Sequence, residues 1–227
     1  MTSSWGARKR MNELKRTNVG KLFWLVVFGI VLYVVLDVIA QFLPPHYSPI
    51  SQAESDLAVG KYGFIMTINF LNRGVFSLLF VLAFRRTLDL IKVNRSGFKT
   101  GLYLLGAWAI GALLLAVFPT DVPSTPVSWH GAIHLVVAIV AFIGGAFGTL
   151  AISQEMGQLR EFGGLRRFVQ PLSVVAVMLW LVDFVMPFVS RHLNSDIGGL
   201  VERLFLGSVL LWLAVVSVYI ATNMPQS

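Results

Sequence analysis

Six long apolar runs, at about residues 22–43, 62–84, 100–118, 129–152, 169–190 and 199–222, alternate with short polar segments along this chain of 227 residues. Each is close to the roughly twenty residues that a helix needs to cross a hydrocarbon layer ~30 Å thick. Backbone groups in lipid must satisfy their own hydrogen bonds, and single runs of this length do so as helices. The expectation is an all-α protein: one transmembrane domain, a six-helix bundle over 22–222, with a basic segment 1–21 before it and a short tail 223–227 after it. A composition that is 56% hydrophobic and 13% charged, with a mean hydropathy of +0.75, excludes an ordinary soluble domain. The first run follows basic residues as a signal peptide would, but it is about twice the usual length. With no small-x-small cleavage site, it reads as a retained helix.

The basic residues orient the bundle. Of 18 Lys and Arg, six precede the first span, five lie between the second and third, and three lie between the fourth and fifth. Only Lys61, Arg73, Arg191 and Arg203 fall elsewhere, so the positive-inside rule places both termini in the cytoplasm, at the cell membrane. The net charge of +7 has the same origin, because the basic residues sit between spans rather than in a patch interleaved with aromatics. Nucleic acid is not an expected partner; membrane lipids are. The absence of cysteine excludes disulfides, thiolate metal sites and iron–sulfur clusters. No phosphate-cradling glycine loop with its lysine is present, so no nucleotide cofactor is expected.

Polar groups inside the spans concentrate on the outer side. Asp37, Asn69, Asp121, His130 and His134, Asp183, and Glu202 with Arg203 fall in the outer half or at its rim, with Asn72 and Arg73 near the middle of the second span. Such groups are costly in lipid and should face one another inside the bundle. A guanidinium cannot shed its charge, so Arg73 should pair with Asp37 or Asp183, either to fix packing or to hold an anionic head group. Glu202 and Arg203, close to the interface, read as snorkelling side chains. In the loop 44–61, Ser51-Gln-Ala-Glu54 has the form of a capping box that starts a short surface helix. The small residues of Gly144-Gly145-Ala-Phe-Gly148 read as a close helix contact.

The turn between the third and fourth runs, Phe118-Pro-Thr-Asp121 to Trp129-His130-Gly-Ala-Ile-His134, brings an aspartate and two histidines together. Histidines four apart stack on one helix face, and two nitrogens with a nearby carboxylate suit zinc. The competing reading is that both histidines are hydrogen-bonded packing residues. His46 and His192, in outer loops, are solvated by default and available as a third nitrogen. A bis-histidine haem is not expected, since it needs nitrogens on opposite sides of the iron and these share one face.

Residues Ile50-Ser-Gln-Ala-Glu-Ser-Asp-Leu-Ala-Val-Gly-Lys-Tyr-Gly63, Phe118-Pro-Thr-Asp121 and His130-Gly-Ala-Ile-His134 resemble the domain of unknown function 998 family of multi-span prokaryotic membrane proteins. The resemblance implies a fold of six to seven membrane helices and no particular activity. A more distant likeness, to membrane-embedded hydrolases of the alkaline ceramidase and adiponectin-receptor type, implies zinc on Asp121, His130 and His134 with Ser51, Ser55 or Ser128 as the serine. Those proteins have seven helices and a further histidine, and this chain offers six runs and only loop histidines.

Three functions therefore stand side by side. A metal-dependent hydrolase would use Asp121, His130 and His134 to hold zinc against a lipid amide or ester, with Asp183 or Asp37 as base and Arg73 at the head group or oxyanion. A non-catalytic protein would bind or transport a small ligand or proton in an outward-facing polar chamber. In the third, the polar network only fixes a structural or assembly protein.

Overall fold

A computed structural model describes residues 2–122, 125–193 and 197–223, with side chains described for 18–122, 125–186 and 197–223. The described residues form helices and loops, with no strand. The helices are α1 (Thr2–Gln41), α2 (Gly63–Leu90), α3 (Ser96–Val117), α4 (Trp129–Met156), α5 (Gly163–Leu193) and α6 (Gly198–Asn223), with 3-10 turns at Glu54–Ala58 and Arg160–Phe162. All six are long and apolar enough to cross a membrane, and the chain is a multi-pass membrane protein. Most begin or end beyond the apolar runs. Hydropathy marks where a chain enters lipid, whereas residues such as Arg85-Arg86-Thr-Leu-Asp89 keep good helix propensity outside it, aided by an Arg85–Asp89 pair at 3.3 Å.

Consecutive helices pack side by side and α6 closes against α1, so the bundle is a ring. α6 is its most enclosed stave, with 61% of its apolar window buried against 17% for α5, which mostly faces lipid. Towards the end that carries the loops 91–95 and 157–162, the ring is filled with aromatics. Phe80 lies 5.6 Å from Phe84 and 5.7 Å from Trp212, and Phe84 lies 5.8 Å from Phe98 (centroid distances). Buried indoles must still place their N–H groups: Trp212 donates to Ser153 at 2.8 Å and Trp108 to Ser77 at 3.2 Å. We call this the basic end, and the end with the loops 42–62 and 118–128 the polar end.

The expected small-residue contact is present between α3 and α4. A Cβ on Gly144 would overlap the Leu104 carbonyl, and one on Gly148 would meet Leu105 at 3.0 Å, so only glycine lets the two backbones approach this closely. Gly106 of α3 has no heavy atom of this kind within 4 Å of its Cβ position. At the end of α2, Lys92 adopts φ 58°, the left-handed conformation that glycine favours, so that Val93 N–H reaches Leu88 O at 2.9 Å and closes the helix.

Gly144→Val is expected to lower stability by about 2–3 kcal/mol by forcing α3 and α4 apart, while Gly106→Val changes it by less than ~0.5 kcal/mol. Thermal midpoints in detergent read both. Lys92→Gly is expected to raise stability by up to about 1 kcal/mol, the relief of a left-handed lysine less glycine's greater unfolded-state entropy.

Candidate functional site

Arg73 of α2 is 1% exposed and walled by three rings, with its guanidinium carbon 4.8 Å from Trp108, 5.3 Å from Phe70 and 5.8 Å from Tyr33. Its Nη1 donates to the Tyr33 hydroxyl at 3.4 Å and lies 3.8 Å from Glu54 Oε2. The Tyr33 hydroxyl in turn donates to Glu54 Oε1, so one phenol bridges a buried acid and a buried base. The expected partners Asp37 and Asp183 are not the ones Arg73 uses. Placing residues by depth along their helices assumes that loops stay outside, and here the loop 42–62 folds into the mouth of the ring.

Glu54 therefore does not close a capping box on a surface helix. It opens a 3-10 turn whose N-cap, Ala53, makes no side-chain cap, and its own side chain is 3% exposed. A buried guanidinium and phenol are stronger partners for a carboxylate than a solvated backbone N–H. Burial pushes the Glu54 carboxyl up to about 7, and the charge of Asp37 adds to the rise against the opposing pull of Arg73.

A second basic group pins the same loop. Arg203 Nη1 donates to the carbonyls of Gln52 at 3.0 Å, Gly199 at 3.2 Å and Pro49 at 3.3 Å, and Nη2 donates to the Tyr47 hydroxyl. Nη2 also lies 4.0 Å from Asp37 Oδ1, while Asp37 Oδ2 accepts from Gln41 at 2.6 Å. Glu202 accepts the Glu54 backbone N–H at 3.2 Å. Glu202 and Arg203 thus turn into the protein instead of snorkelling, because a loop lies over them with carbonyls and an N–H to satisfy. Close approach is again glycine's contribution: a Cβ at Gly199 would overlap the Gln52 carbonyl, and one at Gly63 the Ala58 carbonyl.

The network is incompletely satisfied. Arg73 Nε and Nη2, Asn69 Oδ1, Asp37 Oδ1 and Arg203 Nε are buried and find no hydrogen-bond partner among the described residues. It also holds three carboxyls (Asp37, Glu54 and Glu202) against two guanidiniums (Arg73 and Arg203). Above it, between the two loops of the polar end, lies a cavity of about 190 Å³ whose lining includes His46, Tyr47, Gln52, Asp56, Tyr62 and Val122. Burial raises the carboxyl of Asp56 and the phenol of Tyr47 above their ordinary values.

Asp121 and His130 meet at the start of α4, around Ser128, and His134 stands apart against the Phe118 carbonyl. Ser128 is the helix N-cap: its Oγ accepts Gly131 N–H at 3.1 Å, donates to Asp121 Oδ1 at 2.6 Å and lies 2.7 Å from His130 Nδ1. Asp121 Oδ2 accepts the Ser128 N–H at 2.9 Å, and these bonds from Ser128 hold the Asp121 carboxyl below the usual range. His134, 6% exposed, places Nδ1 2.7 Å from the Phe118 carbonyl and its ring 6.4 Å from Phe70. Both oxygens of Asp121 are engaged by the cap, and among the described residues no three His, Asp or Glu side chains stand close enough to share a metal. His46 is exposed and Asp183 half-buried; the side chain of His192 lies outside the described residues.

Sequence reasoning missed Tyr33, Tyr47 and Glu54. Tyr33 had a signal, since a phenol in the middle of an apolar run must find a hydrogen-bond partner. Glu54 had none, because nothing local distinguishes a carboxylate that turns inward.

Arg73→Met is expected to cost about 3 kcal/mol by stranding buried Glu54, and adding Glu54→Gln to recover most of the loss. Chemical denaturation of detergent-purified single and double variants measures the coupling; stabilities that simply add would remove the pairing.

No curated protein and no solved structure matches the chain. The likeness to ceramidase-type hydrolases is not shown by these comparisons. A family model described as a protein of unknown function, DUF998, matches residues 27–219, from α1 through most of α6, and the chain belongs to that family.

Proposed function

We propose that this protein is a non-catalytic membrane protein that takes up a proton, together with a small ligand, in the chamber formed by α1, α2, α6 and the loop 42–62. The observation that carries the reading is the imbalance of the enclosed network, in which three carboxyls share two guanidiniums. Ionised carboxylates without a matching charge are costly at low dielectric, so the network is most stable holding one extra proton. Glu54 is the carrier we assign: it is the most deeply buried of the three acids and touches both Tyr33 and Arg73. Asp37 and Arg203 then form the link from Glu54 towards Tyr47 and Gln52, which line the cavity. The unpartnered nitrogens of Arg73 supply donors for a ligand's polar atoms or for water. With the basic loops in the cytoplasm, as the distribution of Lys and Arg favours, this chamber opens to the outside.

A zinc-dependent lipid hydrolase is the competing reading, and it requires Asp121 to release its Ser128 cap so that His130, His134 and Asp121 can converge. Elemental mass spectrometry separates the two. About one zinc per untagged wild-type chain, lost in His130→Ala/His134→Ala, would replace the proton chamber with a metal centre.

Proton uptake has a sign that stability reports. A carboxyl near 7 in the folded protein and near 4.5 when unfolded makes the folded state the better proton binder. The associated stability is complete below about pH 4.5 and is lost as pH rises to about 7, on the order of 3 kcal/mol in all. The expected result is a thermal midpoint that falls between about pH 5 and about pH 8 and a protonated-carboxyl infrared band that disappears over the same range. Glu54→Gln should weaken the band and flatten the slope. An unchanged band and slope in that variant would overturn the proposal.

A further inference from the structure

At the basic end, the turn from α2 to α3 encloses a cavity of about 230 Å³ lined by Arg85, Lys92, Asn94, Arg95 and Lys99, with Leu88, Phe98 and Leu102 also in its wall. Two of the four cations already have carboxylates, Arg85 with Asp89 at 3.3 Å and Arg95 with Glu155 at 3.1 Å. Lys92 and Lys99 have no carboxylate partner among the described residues, and they leave the cavity with an uncompensated positive charge. Lys92 is also held at φ 58°, where glycine would be the more stable residue. An outlier of this kind, at the rim of a charged cavity, points to a use for the ammonium itself.

Apolar surface continues from this cavity towards the membrane. Tyr103, one turn beyond Lys99 on α3, is 79% exposed, and Leu82, one turn before Arg85 on α2, is 55% exposed. Residues three or four apart share a helix face, so Arg85 and Lys99 each have an exposed apolar neighbour on the lipid side. Charge at the rim with apolar surface below it matches one kind of molecule, a lipid whose anionic phosphate sits at the interface and whose chains run into the bilayer.

We propose that the α2–α3 turn is a binding site for an anionic phospholipid. The phosphate is held by Lys92 and Lys99, and Asn94 offers an amide to the head group. Leu82 and Tyr103 carry the acyl chains. This inference is independent of the proton chamber, which lies at the opposite end of the ring.

The test uses delipidated full-length protein in detergent and native mass spectrometry, with phosphatidylglycerol and phosphatidylcholine in equal amounts. One phosphatidylglycerol per chain is expected, favoured by tenfold or more, since each lysine near an anionic surface contributes about fivefold. Lys92→Gly/Lys99→Gln should reduce the preference to about twofold or less, with Lys92→Gly alone showing that weaker retention is not a loss of fold. Arg166→Gln/Arg167→Gln removes the same charge from the start of α5 at the same end and should keep the preference. Equal retention of the two lipids, or a preference that survives the lysine double variant or falls equally in the arginine one, would overturn the assignment. Inorganic phosphate that displaces the lipid at equal concentration would overturn it in favour of a soluble anion.

Discussion

The ion pair between Arg73 and Glu54 is the constraint on which the polar end of this protein depends. A guanidinium enclosed by Trp108, Phe70 and Tyr33 cannot lose its charge, and among the described residues no helix offers it a carboxylate at pairing distance. The loop 42–62 meets the demand by folding into the ring and presenting Glu54. The bridging Tyr33 hydroxyl, the Arg203 clamp on two loop carbonyls and the bare glycines under Ala58 and Gln52 are all conditions for that loop to sit so low.

The two ends of the ring solve different problems. At the basic end the interior is aromatic and nearly free of charge, and the cations lie in the turns outside it. The polar end carries charge inside, incompletely neutralised, with several buried donors and acceptors left without partners among the described residues. Buried charge of this kind is a poor source of stability compared with the apolar packing below it. Retaining it makes physical sense where a proton or ligand must enter, and the cavity between the two loops is lined by Tyr47 and Gln52, both of which Arg203 contacts.

The turn before α4 illustrates how one set of residues admits two chemistries. Asp121, Ser128 and His130 are joined by short hydrogen bonds, and His134 is tied to the Phe118 carbonyl. In this arrangement they end one span and start the next, satisfying N–H groups that would otherwise face lipid headgroups unpaired. The same side chains would serve a metal only after the cap around Ser128 rearranged.

The sequence by itself determined the class, the six spans and their order, because hydrocarbon thickness and backbone hydrogen bonding leave an apolar run of twenty residues almost no alternative to a helix. It also determined that Arg73 needs an acid and that Gly144 and Gly148 mark a close contact, since charge and the lack of a Cβ are properties of single residues. Only the tertiary structure decided which acid Arg73 meets, that Glu202 and Arg203 turn inward, and that α6 closes the ring on α1. Those outcomes depend on a loop whose path is set by contacts 21 to 151 residues away in the chain, as Tyr33 to Glu54 and Gln52 to Arg203 are. Local pattern carries no information about such distances, because a carboxylate on a loop looks the same in sequence whether it turns to water or into the bundle.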